Sequence, residues 1–573
     1  MLRLFKGLKP YWLTIVGTLL LIFVFTLTDL NLPNLMSDIV DTGIVEGDIS
    51  YILRVGGLML LVALVGTAAS ILANYLGAKV AIGYSRDLRQ QVFEKVESFS
   101  LNEFNSIGTA SLITRTTNDI TQVQQVILIM LRMMVQAPIM IVGALIMSFE
   151  KDVELTKIII YIIPILFISI FLIARFAMPM FQLVQKRIDK LNLVVRENLT
   201  GTRVIRVFNK QKFEEDRFNE ANLDLTKIAM KANRLMGLLM PLMMVLLNVS
   251  IVIVMWFGAQ RVDLGELQVG NLMAIIQYIG QIMFSLMMLS MMFVMIPRAQ
   301  ASAVRINEVL NMQPIINDPK TSKTSDLHGV VEFKDVSYEY EGAENPAISG
   351  ISFTAKPGEI LAIIGGTGSG KSTIVNMIPR FYDAAKGQVL VNGIDVRDMS
   401  QEELRQKIGY VPQKAVLFTG TIRDNIQYGL EGATDEQIQH ALDVAQAADF
   451  VSKKKEGLDS EIAQGGTNVS GGQKQRLSIA RAIVRKPEIY IFDDSFSALD
   501  FKTDAKLRAA LKEETKEATT IIVAQRVSTI MDADRILVLN EGHIVGDGTH
   551  DELVRNCDIY KEIVDSQLKG EEE

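Results

Sequence analysis

Six stretches of this chain contain no Asp, Glu, Lys or Arg and are long enough, or nearly so, to cross a hydrocarbon layer of about 30 Å. They are Tyr11 to Thr28, Val55 to Ala78, Met133 to Phe149, Ile158 to Ala174, Leu235 to Gln260 and Leu267 to Pro297. Inside lipid a backbone N–H or C=O finds no water, so a segment of this kind spans as a helix. The third and fourth are the shortest, and Arg132 and Arg175 stand at their ends, where long side chains reach back to the interface. The bulk numbers agree with a membrane part: 49% hydrophobic residues, 21% charged, and a mean hydropathy of +0.25.

The loops set the orientation. Asn31 to Ser50 carries Asp38, Asp41, Glu46 and Asp48 without a Lys or Arg, whereas Phe181 to Arg234 is rich in both. By the positive-inside rule the N-terminus, the two long loops and everything after Arg298 are cytoplasmic. Arg3, Lys6 and Lys9 precede the first apolar run as in a signal peptide, but that run is too long and lacks a small-residue cleavage site, so it reads as a retained helix. The single cysteine, Cys557, excludes an intrachain disulfide. A net charge of −7 leaves no basic footprint for nucleic acid.

The long loops, 79–132 and 175–234, show helical periodicity and read as extensions of the spans. Thr109 to Asp119 and Glu197 to Phe208, where the chain must reverse, are candidates for docking a cytoplasmic motor. Methionines crowd the fifth and sixth spans from Met236 to Met295. They read either as ordinary packing or, taken as a group, as a pathway that accepts many apolar shapes.

Beyond Met312 the composition turns polar, and from Val330 strand and helix patterns alternate. The resulting division is a six-helix membrane domain over 1–312, a linker over 313–329 and an α/β nucleotide-binding domain over 330–573. Within the last, Gly365-Gly366-Thr367-Gly368-Ser369-Gly370-Lys371-Ser372-Thr373 fits GxxxxGK[ST] between an apolar run, Ile360 to Ile364, and a helical pattern. Glycines let successive N–H groups turn toward phosphate oxygens. Lys371 would reach the β- and γ-phosphates, Ser372 would bind Mg²⁺, and the helix N-terminus favours anions. A chance match in a chain of this length is roughly a 2% event.

Further motifs follow in order, and with them the whole chain resembles a half-transporter of the ATP-binding cassette (ABC) exporter family. Tyr340 matches the family's adenine-stacking aromatic residue, and Gln413 the glutamine that bridges Mg²⁺ and the membrane-domain interface. Ile489 to Asp493 matches the metal-holding strand, with Asp493 as the metal carboxylate. Val469-Ser470-Gly471-Gly472-Gln473 matches the signature that faces the ATP held by a second cassette, and Ser497-Ala498-Leu499-Asp500 matches the D-loop. The resemblance implies ATP and Mg²⁺ as cofactors, membrane lipids and a second half-transporter as partners, and a multi-pass place in a bacterial plasma membrane.

Three positions depart from the family pattern. Asp494 stands where a glutamate polarises the attacking water, and Gln525 where a histidine switch is usual. Ala463-Gln464-Gly465-Gly466 replaces a common Gly-Glu-Arg-Gly. Asp is one methylene short of Glu, and Gln hydrogen-bonds but carries no proton. With Lys371 and the cradle retained, the pattern resembles the degenerate-site subunit of bacterial heterodimeric multidrug exporters, which move hydrophobic or amphipathic small molecules, drugs or lipids. A homodimeric exporter, or an ATP-gated regulatory or channel-like protein, is the alternative.

Overall fold

The computed structural model describes residues 2–340 and 342–568. Residues 1, 341 and 569–573, which fall within the 1–312 and 330–573 assignments, lie outside the described residues. The chain forms two compact units: one comprises the chain up to Ser98 together with Ile107–Met312, the other Phe99–Ser106 together with the chain from Gln313 onward.

The first unit is helical: α1 (Trp12–Asp38), α2 (Ile49–Glu97), α3 (Ile120–Lys151), α4 (Val153–Thr200), α5 (Gln211–Gly237), α6 (Leu239–Asp263) and α7 (Val269–Asn311). Among the described residues six helical stretches are long and apolar enough to cross a membrane, α5 and α6 counting as one. The helices outrun their apolar segments. The 49 residues of α2 rise about 74 Å, over twice a hydrocarbon thickness. The periodicity of the two long loops is therefore that of the spanning helices continued.

Small residues let these helices approach. Gly66, Ala69, Ala73 and Gly77 lie along one buried stripe of α2. A Cβ at Gly66 would stand 2.4 Å from Thr28 Oγ1 of α1, and one at Gly77 3.7 Å from Thr18 Cγ2. The core beyond them gathers Leu30, Leu155, Val254, Ile275 and Tyr278. At the opposite end of the spans from Arg132, the Asp41 carboxylate accepts from the Gly270 and Asn271 N–H groups and so completes the first turn of α7.

A charge cluster closes the basic end. The short helix Thr109–Thr114 passes into a π-helical turn, Arg115–Asp119, before α3. Asp119 accepts from Ser302 Oγ at 2.8 Å and from both Nε and Nη2 of Arg305. Arg115 Nη1 donates to Glu308 Oε2 at 2.7 Å and to the Arg305 carbonyl at 3.1 Å. Thr109 to Asp119, a candidate for docking a motor, packs these charges on α7. The segment Phe99–Ser106 is grouped with the second unit. There Leu101 packs on the second unit's core, and buried Glu103 accepts from the N–H groups of Ser100 and Ile315. The other candidate, Glu197 to Phe208, forms the end of α4 and a short helix, Thr202–Val207, with Leu199, Val204, Val207 and Phe208 exposed.

The second unit is α/β. Its longer strands are β1 (Val331–Tyr338), β2 (Ile348–Ala355), β3 (Ile360–Gly365), β4 (Lys386–Val391), β5 (Ile408–Val411), β6 (Ile489–Asp493), β7 (Thr519–Val523), β8 (Arg535–Asn540) and β9 (His543–Gly548). The helices that bear on the site are α8 (Lys371–Met377), α9 (Gly471–Ile483) and α10 (Phe501–Glu514). Six strands order as β9-β8-β3-β7-β6-β5, parallel from β8 to β5. β6 and β7 are buried at every residue, the continuous apolar pattern of strands covered on both faces. A smaller sheet holds β2, β1 and β4, antiparallel.

Candidate functional site

In a parallel sheet ligands gather beyond the carboxyl ends of the strands. Here β3 ends at Gly365, β6 at Asp493 and β7 at Val523, side by side. The loop from Gly365 to Gly370 bends so tightly that side chains are excluded where it touches the sheet. A Cβ at Gly365 would lie 2.2 Å from the Leu539 carbonyl oxygen. Gly370, at φ 96°, would place one 2.6 Å from the Ala347 carbonyl oxygen. Gly366 and Gly368 face open space, where a Cβ would meet nothing within 4 Å.

Lys371 opens α8 and folds over the loop, donating to the Gly365 and Gly366 carbonyls at 2.8 and 2.7 Å. Ser372 Oγ donates to Asp493 Oδ1 at 3.1 Å. Thr373 Oγ1 lies 3.1 Å from the Tyr340 hydroxyl, tying the aromatic residue to the same helix. Gln413 Nε2 and Gln525 Nε2 both donate to one oxygen, Asp494 Oδ2, at 3.2 and 2.7 Å. Asp494 itself sits at φ 47°, a left-handed conformation that Asp tolerates better than most side chains. Burial pushes the Asp493 and Asp494 carboxyls above their usual range, opposed at Asp494 by the hydrogen bond from Gln413. Burial likewise lowers the Lys371 ammonium, opposed by the charges of Asp494 and Asp493.

These residues fit a magnesium nucleotide. Ser369 Oγ is buried in the loop without a hydrogen-bond partner, and Lys371 is satisfied only by backbone oxygens that phosphate oxygens can replace. Among the described residues no three His, Cys, Asp or Glu side chains converge as a metal cluster. Mg²⁺ does not require one, since it takes one or two carboxylates together with phosphates and water.

The signature is placed differently. Ser470 caps α9 in a closed box: its hydroxyl accepts from Gln473 N–H, and the Gln473 side chain accepts from Ser470 N–H. Ser470 and Gly471 are exposed, Val469 is buried beneath them, and Gly472 backs on the Ala498 carbonyl. Ser497 and Ala498 are exposed, Leu499 is buried, and Asp500 caps α10 through Thr503 N–H. Hence the cradle, Gln413, Asp493, Asp494 and Gln525 converge, while no hydrogen bond among the described residues joins Ser470 to Gln473 with the cradle.

Sequence reasoning missed the surroundings of Tyr340. Its ring lies edge-on to Tyr338 at 5.0 Å and to Tyr382 at 5.6 Å, and Tyr338 in turn meets Asn102 at 3.5 Å. The alternation Tyr338-Glu339-Tyr340, which puts two rings on one strand face, was the available signal. In the first unit the methionines divide: Met243, Met283 and Met292 are buried, whereas Met240, Met244 and Met255 are exposed. Met255 and Trp256 line an open cleft of about 490 Å³ on α6.

A phosphate cradle carried by a polytopic membrane chain defines an ATP-driven membrane transport protein, and the comparisons narrow the class. Residues 15–286 match the family of the ABC transporter transmembrane region and residues 348–497 that of the ABC transporter. An uncharacterized ABC transporter ATP-binding protein of Mycobacterium tuberculosis is 41% identical, covering 98% of this chain and 97% of its own. An ATP-dependent lipid A-core flippase of Syntrophus aciditrophicus is 31% identical, with 87% and 82% covered. The structure of a bacterial Atm1-family ABC exporter with ATP bound superposes with a TM-score of 0.80 at 26% identity, covering 97% and 98%. The chain belongs to the ABC transporter family and is an exporter, with its membrane and ATP-binding parts fused in one chain.

Proposed function

We propose that this exporter chain works with a second half-transporter and contributes the slower of two ATP sites, moving hydrophobic or amphipathic compounds, drugs or lipids, out of the cytoplasm or the inner leaflet. The observation that carries the reading is the double hold on Asp494. A carboxylate that polarises water must reach it, and here Gln413 and Gln525 both donate to Asp494 Oδ2 and fix where this shorter side chain points. Gln525 accepts no proton in return. A base displaced by about 1 Å can lose ~10²-fold in rate.

Bound ATP with Mg²⁺ supplies the transferable phosphoryl group. The chain's own part is binding: glycine N–H groups and Lys371 toward phosphates, Ser372 and Asp493 toward the metal, with Gln413 beside them, and Tyr340 toward the base. The exposed Ser470 and Gly471 at the head of α9 would complete the partner's site, because an anion is favoured at a helix N-terminus. The lipid reading also draws on the relative named as a lipid A-core flippase.

The test is steady-state ATP turnover of the chain alone and co-expressed with its partner, each with and without Asp494→Glu plus Gln525→His. A nearly inactive lone chain, a fast pair, and little gain in the pair from the double change are expected. A lone chain with ordinary exporter turnover would replace this reading with a self-sufficient homodimer.

A further inference from the structure

We infer that the first three spans carry an oxyanion subsite at their basic end, and that the exported amphiphile bears an anionic headgroup, a phosphate or a carboxylate. This deepens the export reading above and rests on it.

The site is a notch between α1, α2 and α3, of about 20 Å³, lined on its polar side by Thr18, Ser70, Asn74, Arg132 and Gln136 and otherwise mainly by apolar side chains. That volume holds one oxygen-sized group. It therefore takes a headgroup oxygen and leaves the body of an amphiphile outside. Asn74 is the only carboxamide of the second span and Gln136 the only one of the third, and both face the same notch. Polar side chains inside a span are costly unless they pair or serve a ligand.

The donor inventory decides the sign of the ligand. Thr18 Oγ1 donates to Thr14 O, and Asn74 Nδ2 to Ser70 O, each within its own helix. Arg132 and Gln136 make no hydrogen bond or ion pair among the described residues. No carboxylate lines the notch. An unpaired guanidinium with five N–H donors beside an unpaired amide matches an oxyanion, which guanidinium binds in bidentate fashion. The rest of the lining, Ile22, Phe25, Ala73, Leu128 and Leu131, is an apolar wall, and it favours a ligand that also carries a hydrocarbon part. A free anion would gain nothing from that wall.

The experiment uses the full-length chain assembled with its partner in phosphatidylcholine nanodiscs, which contain no bulk anionic lipid. Half-saturating concentrations for stimulating ATP turnover are read for oleoyl lysophosphatidate, oleate, oleoyl lysophosphatidylcholine and inorganic phosphate, with wild type, Arg132→Gln and Arg132→Lys. Arg132→Gln should raise the value for lysophosphatidate and oleate by about tenfold, the loss of one charged hydrogen bond. Arg132→Lys should recover part of it, and lysophosphatidylcholine should shift less than twofold or not act. Equal shifts for anionic and zwitterionic probes, or no shift for either, overturn the subsite. Inorganic phosphate acting at the concentration of lysophosphatidate overturns the assignment to an amphiphile. If zwitterionic probes stimulate and anionic ones do not, the export reading stands and the inference falls. If no amphiphile of either kind acts on wild type, the export reading fails and this inference with it.

Discussion

The chain contains two partly buried groups of charges that obey opposite rules. In the membrane unit Arg115, Asp119, Arg305 and Glu308 pair crosswise, two cations with two anions, and Ser302 adds a second donor to Asp119 Oδ1 beside Arg305 Nη2. In the ATP-binding unit two adjacent carboxylates, Asp493 and Asp494, share the neighbourhood of one lysine, and all three groups are shifted toward their neutral forms, chiefly by burial. The first group is complete. The second sets two carboxylates against one ammonium, the unbalanced arrangement expected where a site takes a ligand. A closed pairing builds a joint between helices, and an unclosed one fits a binding site.

The largest expected effect breaks the second group. Lys371→Ala should weaken binding of a fluorescent ATP analogue about 10²-fold, because one side chain loses charged hydrogen bonds to two phosphates. Unchanged affinity would mean that the backbone-held lysine never turns to the nucleotide. The next effect tests closure of the first group. Asp119→Asn, Arg305→Gln and the double change, compared by thermal denaturation in detergent, should show a coupling of about 1–3 kcal/mol. Additive losses would reduce the joint to independent surface contacts.

The smallest effect has the opposite sign and sharpens the contrast most. Asp494→Asn, measured without nucleotide or magnesium, should slightly stabilise the ATP-binding unit at neutral pH, whereas Asp119→Asn destabilises the membrane unit. Burial raises the folded-state pKa of Asp494 above its unfolded value, so the cost of the charged form builds from the unfolded pKa upward and is full above the raised one. The gain from Asn should therefore fade as pH drops into the carboxylate range. A gain that is constant with pH would place its origin elsewhere.

Much of this architecture was legible because it depends on neighbours in the chain. A charge-free run long enough to span lipid must be a helix, and GxxxxGK[ST] after a strand must bend its backbone inward, whatever surrounds them. Helix extension was legible in the same way, as periodicity. The grouping of one short segment with the second unit was not. Phe99–Ser106 carries no pattern that separates it from Thr109–Asp119, and its place follows from Leu101 and Glu103 meeting residues over 200 positions away. Nor could spacing show that Gln413 and Gln525, 81 and 31 residues from Asp494, converge on one of its oxygens.

The sequence by itself determined which segments are apolar and long enough to span a membrane, and that a GxxxxGK[ST] loop follows an apolar strand. Each is a property of local composition or of a few consecutive backbone angles. Tertiary structure alone decided that Arg115 and Asp119 close on α7, that Asp494 is held by two amides, and that Arg132 and Gln136 lie unpaired beside Asn74 in one notch. Those outcomes depend on which side chains distant in sequence reach one another once helices and strands pack, and hydrogen bonding acts over distances that only packing sets.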